Sequence, residues 1–144
     1  MRKLALLMLA LSLEPSVAHS QTEKLMLFGG RGHDVYLGCL NCGDHGVDSL
    51  CNSYGKYGNS FSTDSIFNEY SSFGNEFATA SPWNEFSSSN DVPVLVDAEG
   101  DFYGYFTINE YRHNAVDFAT DLNEIYDAAE GDLELVQGAL CEAF

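Results

Sequence analysis

Basic residues are scarce in this chain: its 144 residues include 6 Lys and Arg against 22 Asp and Glu, a formal charge of −16. Nucleic-acid binding relies on clustered Lys and Arg that displace counterions from phosphates, so nucleic acid is not an expected partner. The same imbalance disfavours adhesion to anionic lipid. Long apolar runs are also missing. Leu4 to Leu13 is almost purely apolar but ten residues long, against the roughly 20 a spanning helix needs, so no integral membrane segment is expected. Two common hydrolase signatures, Gly-x-Ser-x-Gly and His-Glu-x-x-His, do not occur. Gly29-Gly30-Arg31-Gly32 lacks the Walker spacing and its Lys-Ser/Thr ending, so it is not a phosphate loop. No cofactor is implied.

The N-terminus reads as an export address. Met1-Arg2-Lys3 is basic, the apolar run follows, and Ala18-His19-Ser20 offers the small residues that a signal peptidase inspects. Residues 1–20 are therefore assigned to a signal peptide and 21–144 to a single exported domain, secreted or periplasmic after cleavage. A chain of this length supports one core and not two.

Leu25 to Phe28 and Val35 to Leu40 flank the Gly-rich turn and read as a β-hairpin. Val92 to Asp97 and Phe102 to Ile108 flank a second Gly-containing turn and read as another hairpin over 92–109, with Pro93 restricted to a strand start or an edge. From Asn114, apolar residues at Ala115, Phe118, Ala119, Leu122, Ile125, Tyr126 and Ala129 follow helical spacing. Asn114 would cap that helix and Gly131 would end it. A second helix from Asp132 puts Leu133, Val136, Leu140 and Phe144 on one side, making 114–144 a helical C-terminus.

Residues 48–88 contain an internal repeat of 16 residues. Ser49, Ser65 and Ser81 align, as do Asn52, Asn68 and Asn84, then Tyr54, Tyr70 and Phe86, then Gly58 and Gly74. Pro82 follows Ser81 as a first helical position follows its cap, so a short helical turn is expected to open each unit. Tyr57, Phe61, Phe73 and Phe77 are expected to pack between units as a small aromatic core. The predicted fold is thus α+β: a small antiparallel sheet from two hairpins, 16-residue aromatic repeats, and C-terminal helices packed on the sheet.

The segment Gly29-Gly30 through His33-Asp34-Val35-Tyr36-Leu37-Gly38-Cys39-Leu40-Asn41-Cys42, with the Ser-x-x-Asn-x-Tyr-Gly-type repeats after it, resembles an uncharacterised group of small exported bacterial proteins. The resemblance covers residues 25–109 and implies an organisation, not a reaction. Within the repeat, Cys51 takes the slot filled later by Phe67 and Trp83, and Ser71 replaces the Gly expected by comparison with Gly55.

Four Cys in an oxidising compartment allow three pairings. Cys51 is displaced from an aromatic slot and Cys141 is alone in the terminal helix, which favours Cys51 with Cys141 and leaves Cys39 with Cys42. Cys39-Leu40-Asn41-Cys42 is read first as a structural disulfide. A redox pair is the alternative, although Cys39 ends a strand where reactive pairs usually open a helix. A metal set with His33 and His45 is another, although it needs thiolates that an oxidising compartment consumes.

His33, Asp34 and His45 are candidates for acid/base or metal chemistry, set against an ordinary turn. Asp97-Ala98-Glu99-Gly100-Asp101 departs from a calcium loop and fits a hairpin turn better. Asn52, Asn68, Asn84 and Trp83 are candidates for ligand contact, with glycan as one class, or for satisfying the backbone of each repeat. The sequence reading is a small exported, disulfide-stabilised accessory or binding protein whose ligand, a protein or a glycan, is unassigned. A thiol-active redox protein using Cys39 and Cys42 and a metal-assisted hydrolase using His33 and Asp34 are the alternatives.

Overall fold

The computed structural model describes residues 23–144, and the assigned signal peptide lies outside them. The chain forms β1 (Leu25–Gly29), β2 (Val35–Cys39), β3 (Val94–Asp97), β4 (Phe102–Tyr105), α1 (Ala119–Ala128) and α2 (Leu133–Ala143). It is an α+β protein. The strands make one antiparallel sheet in the order β2-β1-β3-β4, so the two hairpins join along β1 and β3.

Both hairpins use one device to leave the sheet. Each outer strand carries an extra residue, Leu37 or Tyr103, followed by a Gly that faces Leu27 or Leu95 across the ladder. Gly38 and Gly104 have φ of +114° and +127°, a region open mainly to Gly. A Cβ on Gly38 would lie 2.7 Å from the Tyr57 Cβ, and one on Gly104 would lie 2.7 Å from the Val116 nitrogen. The next residue then bonds to a distant segment. Cys39 donates to the Asp48 carbonyl and accepts from Leu50, while Tyr105 donates to the Asn114 carbonyl and accepts from Val116. This departure stops β4 at Tyr105, short of the Ile108 expected from the apolar run.

Residues 50–93 form turns only, so the helical turns expected at each Ser are absent from this segment. Local side-chain bonds explain the difference. Ser49, Ser65 and Ser81 accept through Oγ from the N–H two residues on, at Cys51, Phe67 and Trp83. Such bonds close single turns and compete with helix propagation. Asn52, Asn68 and Asn84 accept from Tyr54, Tyr70 and Phe86, and each donates its amide to the carbonyl six residues back. Each Asn thereby ties one turn to the turn before it. The aromatic core expected here is divided: Phe73 is buried and Tyr57 half-buried, whereas Phe61 and Phe77 stand in solvent.

Trp83 is the hub of the interior. Its Nε1–H donates to the Ile66 carbonyl, and its ring packs against Phe67, Phe106 and Tyr126. Phe106 meets Phe118, which meets Phe144 at the end of the chain. The helices share the core with Leu27, Leu37 and Leu95 of the sheet, but the bonds that hold them run to the turn segment. Gln137 donates to the carbonyls of Leu50 at 2.8 Å and Gly58 at 2.9 Å, beside the Cys51–Cys141 disulfide. α1 starts at Ala119 and not after Asn114. Asn114 sits at φ +58° with its carbonyl committed to Tyr105, so it cannot cap a helix there. Gly131, at φ +75°, follows α1, and Asp132 caps α2 by accepting from Glu134 and Leu135. Leu133, Val136 and Leu140 are buried on the side that their spacing indicates.

A Cβ on Gly74 would run into the carbonyl of Asn68, whereas one on Gly138 of α2 meets open space. Gly74→Ala should therefore destabilise the protein by at least about 1–3 kcal/mol. Gly138→Ala should stabilise it by up to about 1 kcal/mol through helix propensity. Thermal unfolding of the two variants checks both signs.

Candidate functional site

Six large aromatic side chains project almost wholly into solvent: Tyr54, Phe61, Tyr70, Phe77, Phe86 and Tyr111, each 82–96% exposed. All six follow an Asn by two residues, and every one of those Asn side chains accepts the aromatic residue's N–H through Oδ1. The intervening residue is Ser53, Ser60, Glu69, Glu76, Glu85 or Glu110. Scattered exposed apolar residues need no explanation. Six presented by the same backbone turn are a repeated feature and not scatter.

Four of these rings line three adjoining troughs between the turn segment and the helices. The first, about 510 Å³, holds Phe61 and Tyr70; the second, about 290 Å³, holds Tyr70 and Phe77; the third, about 180 Å³, holds Phe77 and Phe86. Neighbouring troughs share residues, Glu69 and Tyr70 at one junction and Glu76 and Phe77 at the other, so they form one groove. Glu69, Glu76 and Glu85 stand along one wall, with Asp127, Glu130 and Asp132 on the helix side. Among the described residues, no Lys, Arg or His lines any of the three.

Tyr126 forms the floor where the last two troughs meet. Its hydroxyl donates to Glu76 at 3.2 Å, and its ring stacks on Trp83 with centroids 5.7 Å apart and planes 8° from parallel. Burial, together with the negative charge of Glu76, Glu85 and Asp127, pushes the Tyr126 phenol up to about 12. A hydrogen bond to Glu69 likewise raises that of Tyr70. Three of the four basic residues from Lys24 onward are engaged elsewhere. Lys24 pairs with Asp48 at 2.6 Å and Lys56 with Asp64 at 2.9 Å, while the Arg112 guanidinium lies 3.6 Å from the centre of the Tyr105 ring.

Cys39 is bonded to Cys42 and Cys51 to Cys141, the pairing favoured from the sequence. Cys39 is fully buried at the end of β2, and no helix opens at either member of its pair. Two disulfides agree with an oxidising environment. His33 occupies a turn at φ +50°, its ring against Tyr105 and its Nε2 enclosed without a hydrogen-bond partner. Asp34 and His45 are exposed. No three His, Cys, Asp or Glu side chains come together as a metal-holding group among the described residues. Asp97 is a turn residue whose Oδ1 accepts from the backbone of Glu99 and Asp101. Asn52, Asn68 and Asn84 spend their amides on backbone, and Trp83 is 1% exposed, so these four serve the interior.

Sequence reasoning noted Tyr54, Tyr70 and Phe86 only as repeat positions, assigned Phe61 and Phe77 to a core and passed over Tyr111, so the common exposure of the six rings went unread. Asn-Ser/Glu-aromatic occurs at 52, 59, 68, 75, 84 and 109, and the first five are spaced alternately by 7 and 9. A 16-residue comparison sums each pair of spacings and conceals the motif. Comparison of the chain with protein-family models, curated proteins and solved structures returns no match. No helix among the described residues is long and apolar enough to cross a membrane.

Asn68→Ala would orphan the Tyr70 N–H and remove one of the two hydrogen bonds to the Ser62 carbonyl, leaving that from the Ser65 N–H. A loss of about 1–3 kcal/mol is expected in denaturant unfolding. Cys51 and Cys141 are 90 residues apart, and replacing both by Ala should lower stability by about 4 kcal/mol on the loop-entropy model.

Proposed function

We propose that this is a small exported, disulfide-stabilised binding protein whose ligand-contact surface is the exposed aromatic row and its adjoining groove. The observation that carries this reading is the common presentation of all six rings. An Asn that closes a turn onto the N–H two residues ahead imposes nothing on that residue's side chain, so Ser or Lys would serve the fold equally well. Aromatic rings kept in water serve a contact outside the molecule, because ring faces are the side-chain surfaces that yield most on burial. Export places the surface in an oxidising compartment, where both disulfides persist.

Replacing Phe61, Phe77 and Phe86 together by Ala tests the reading, since all three are exposed and off the core. Stability should change by less than about 0.5 kcal/mol per site. A panel of immobilised oligosaccharides and of cationic and anionic peptides should contain a ligand that wild type binds and the variant loses by tenfold or more. Equal binding by both proteins, or no binding to any member of the panel, would overturn it.

A further inference from the structure

We propose that the groove lined by Phe61, Tyr70, Phe77 and Phe86 takes a linear, Arg- and Lys-rich polypeptide segment. This rests on the binding reading above and names its ligand class. Three features of the groove select that class.

The first is charge. Carboxylates of Glu69, Glu76 and Glu85 face those of Asp127, Glu130 and Asp132, with no basic side chain among the lining residues. Burial together with the neighbouring carboxylates raises the Tyr126 phenol above its usual range, and the hydrogen bond to Glu69 raises that of Tyr70. An anionic ligand is repelled, and a neutral sugar could use the rings and hydrogen-bond the acids but would neutralise none of their charge. A polycation engages both, because ammonium and guanidinium groups bind ring faces and carboxylates alike.

The second is the pairing of ring and acid along the chain. Asn68-Glu69-Tyr70, Asn75-Glu76-Phe77 and Asn84-Glu85-Phe86 each put a carboxylate one residue before an exposed ring. The protein contains the ring half of such a contact in its own Arg112, whose guanidinium lies over the Tyr105 ring while its Nη1 donates to the Ser89 backbone carbonyl at 2.7 Å. Arg suits such positions better than Lys because its planar group stacks and forks at once.

The third is shape. The troughs adjoin and share their boundary residues, so a ligand that fills one and continues must be extended. A single amine or metal cation would occupy one trough and leave the others empty.

The test uses the full disulfide-bonded chain with fluorescent hexa-arginine, and with hexa-glutamate and cellohexaose as comparators, read by anisotropy and by the fluorescence of Trp83, which lies under Tyr126. Hexa-arginine should bind, hexa-glutamate should not, and affinity should fall as salt rises. Tyr70→Ala with Phe77→Ala, which leaves net charge unchanged, should weaken binding by about two- to thirtyfold per ring. Glu69→Gln with Glu85→Gln should weaken it by more than tenfold. Asp34→Asn with Glu99→Gln removes the same charge from the two hairpin turns and should change it less than twofold. Equal weakening by the two charge-removing variants would mean attraction to net charge alone and would overturn the proposal. Cellohexaose binding that the ring substitutions abolish, without hexa-arginine binding, would also overturn it while leaving the binding reading intact. Insensitivity of every probe to the ring substitutions would remove both.

Discussion

Residues 50–93 pass through and around the interior without a strand ladder or a helix to pair their backbone, and buried backbone groups left unpaired are costly. The rest of the molecule depends on how this is solved. Successive three-residue turns pair backbone with backbone from Asn52 to Ser87, and Ser and Asn side chains supply what the turns leave over. Asn suits the position because one amide accepts from the turn ahead and donates to the turn behind. With the backbone settled, Ile66, Phe67 and Trp83 can enter the core, and Trp83 becomes the point where the turn segment, the chain just after β4 and α1 meet.

The same device has an outward consequence. In all six units the Asn bonded to the N–H two residues ahead is followed by a ring in solvent, whereas Ser65 and Ser81 make the same bond to Phe67 and Trp83, which are buried. Structure and surface thus alternate within a three-residue unit: Asn is structural, Ser or Glu is the solvent-facing middle, and the ring is presented. Asn68 with Tyr70 illustrates the division, the first buried and the second exposed. The architectural role and the proposed ligand-contact role do not compete for one residue when adjacent positions divide them.

How much of this could be read from the sequence follows from the range of the interactions involved. Both hairpins, the Asp132 cap and the buried face of α2 depend on neighbours within a few residues, and alternation or helical spacing reveals them. The pairing of Cys51 with Cys141 was legible because one Cys occupied an aromatic slot and the other stood alone in the last helix. The start of α1 was not, because a long-range bond from Tyr105 takes the Asn114 carbonyl and delays the helix to Ala119. Hydrophobicity alone puts Phe61 and Phe77 inside, whereas both stand in solvent, each two residues after an Asn that accepts its N–H. The matching exits at Gly38 and Gly104 become visible only when the ladder register is known.

The groove carries its charge at a cost, since carboxylates on opposite walls repel one another when no cation lies between them. What opposes that repulsion lies behind the walls and not in the groove. Gln137 fixes α2 to the Leu50 and Gly58 carbonyls, the Cys51–Cys141 disulfide binds the same helix covalently to the turn segment, and Tyr126 stacks α1 onto Trp83. The helix wall is therefore held in place before any ligand arrives, and a bound polycation would relieve a repulsion that the fold already contains. The binding surface proposed above, organised in this way, would spend little of its interaction energy on rearrangement. The acidity that sets this chain apart and the disulfide that staples its last helix are then two parts of one arrangement, one creating the potential in the groove and the other keeping the groove in shape.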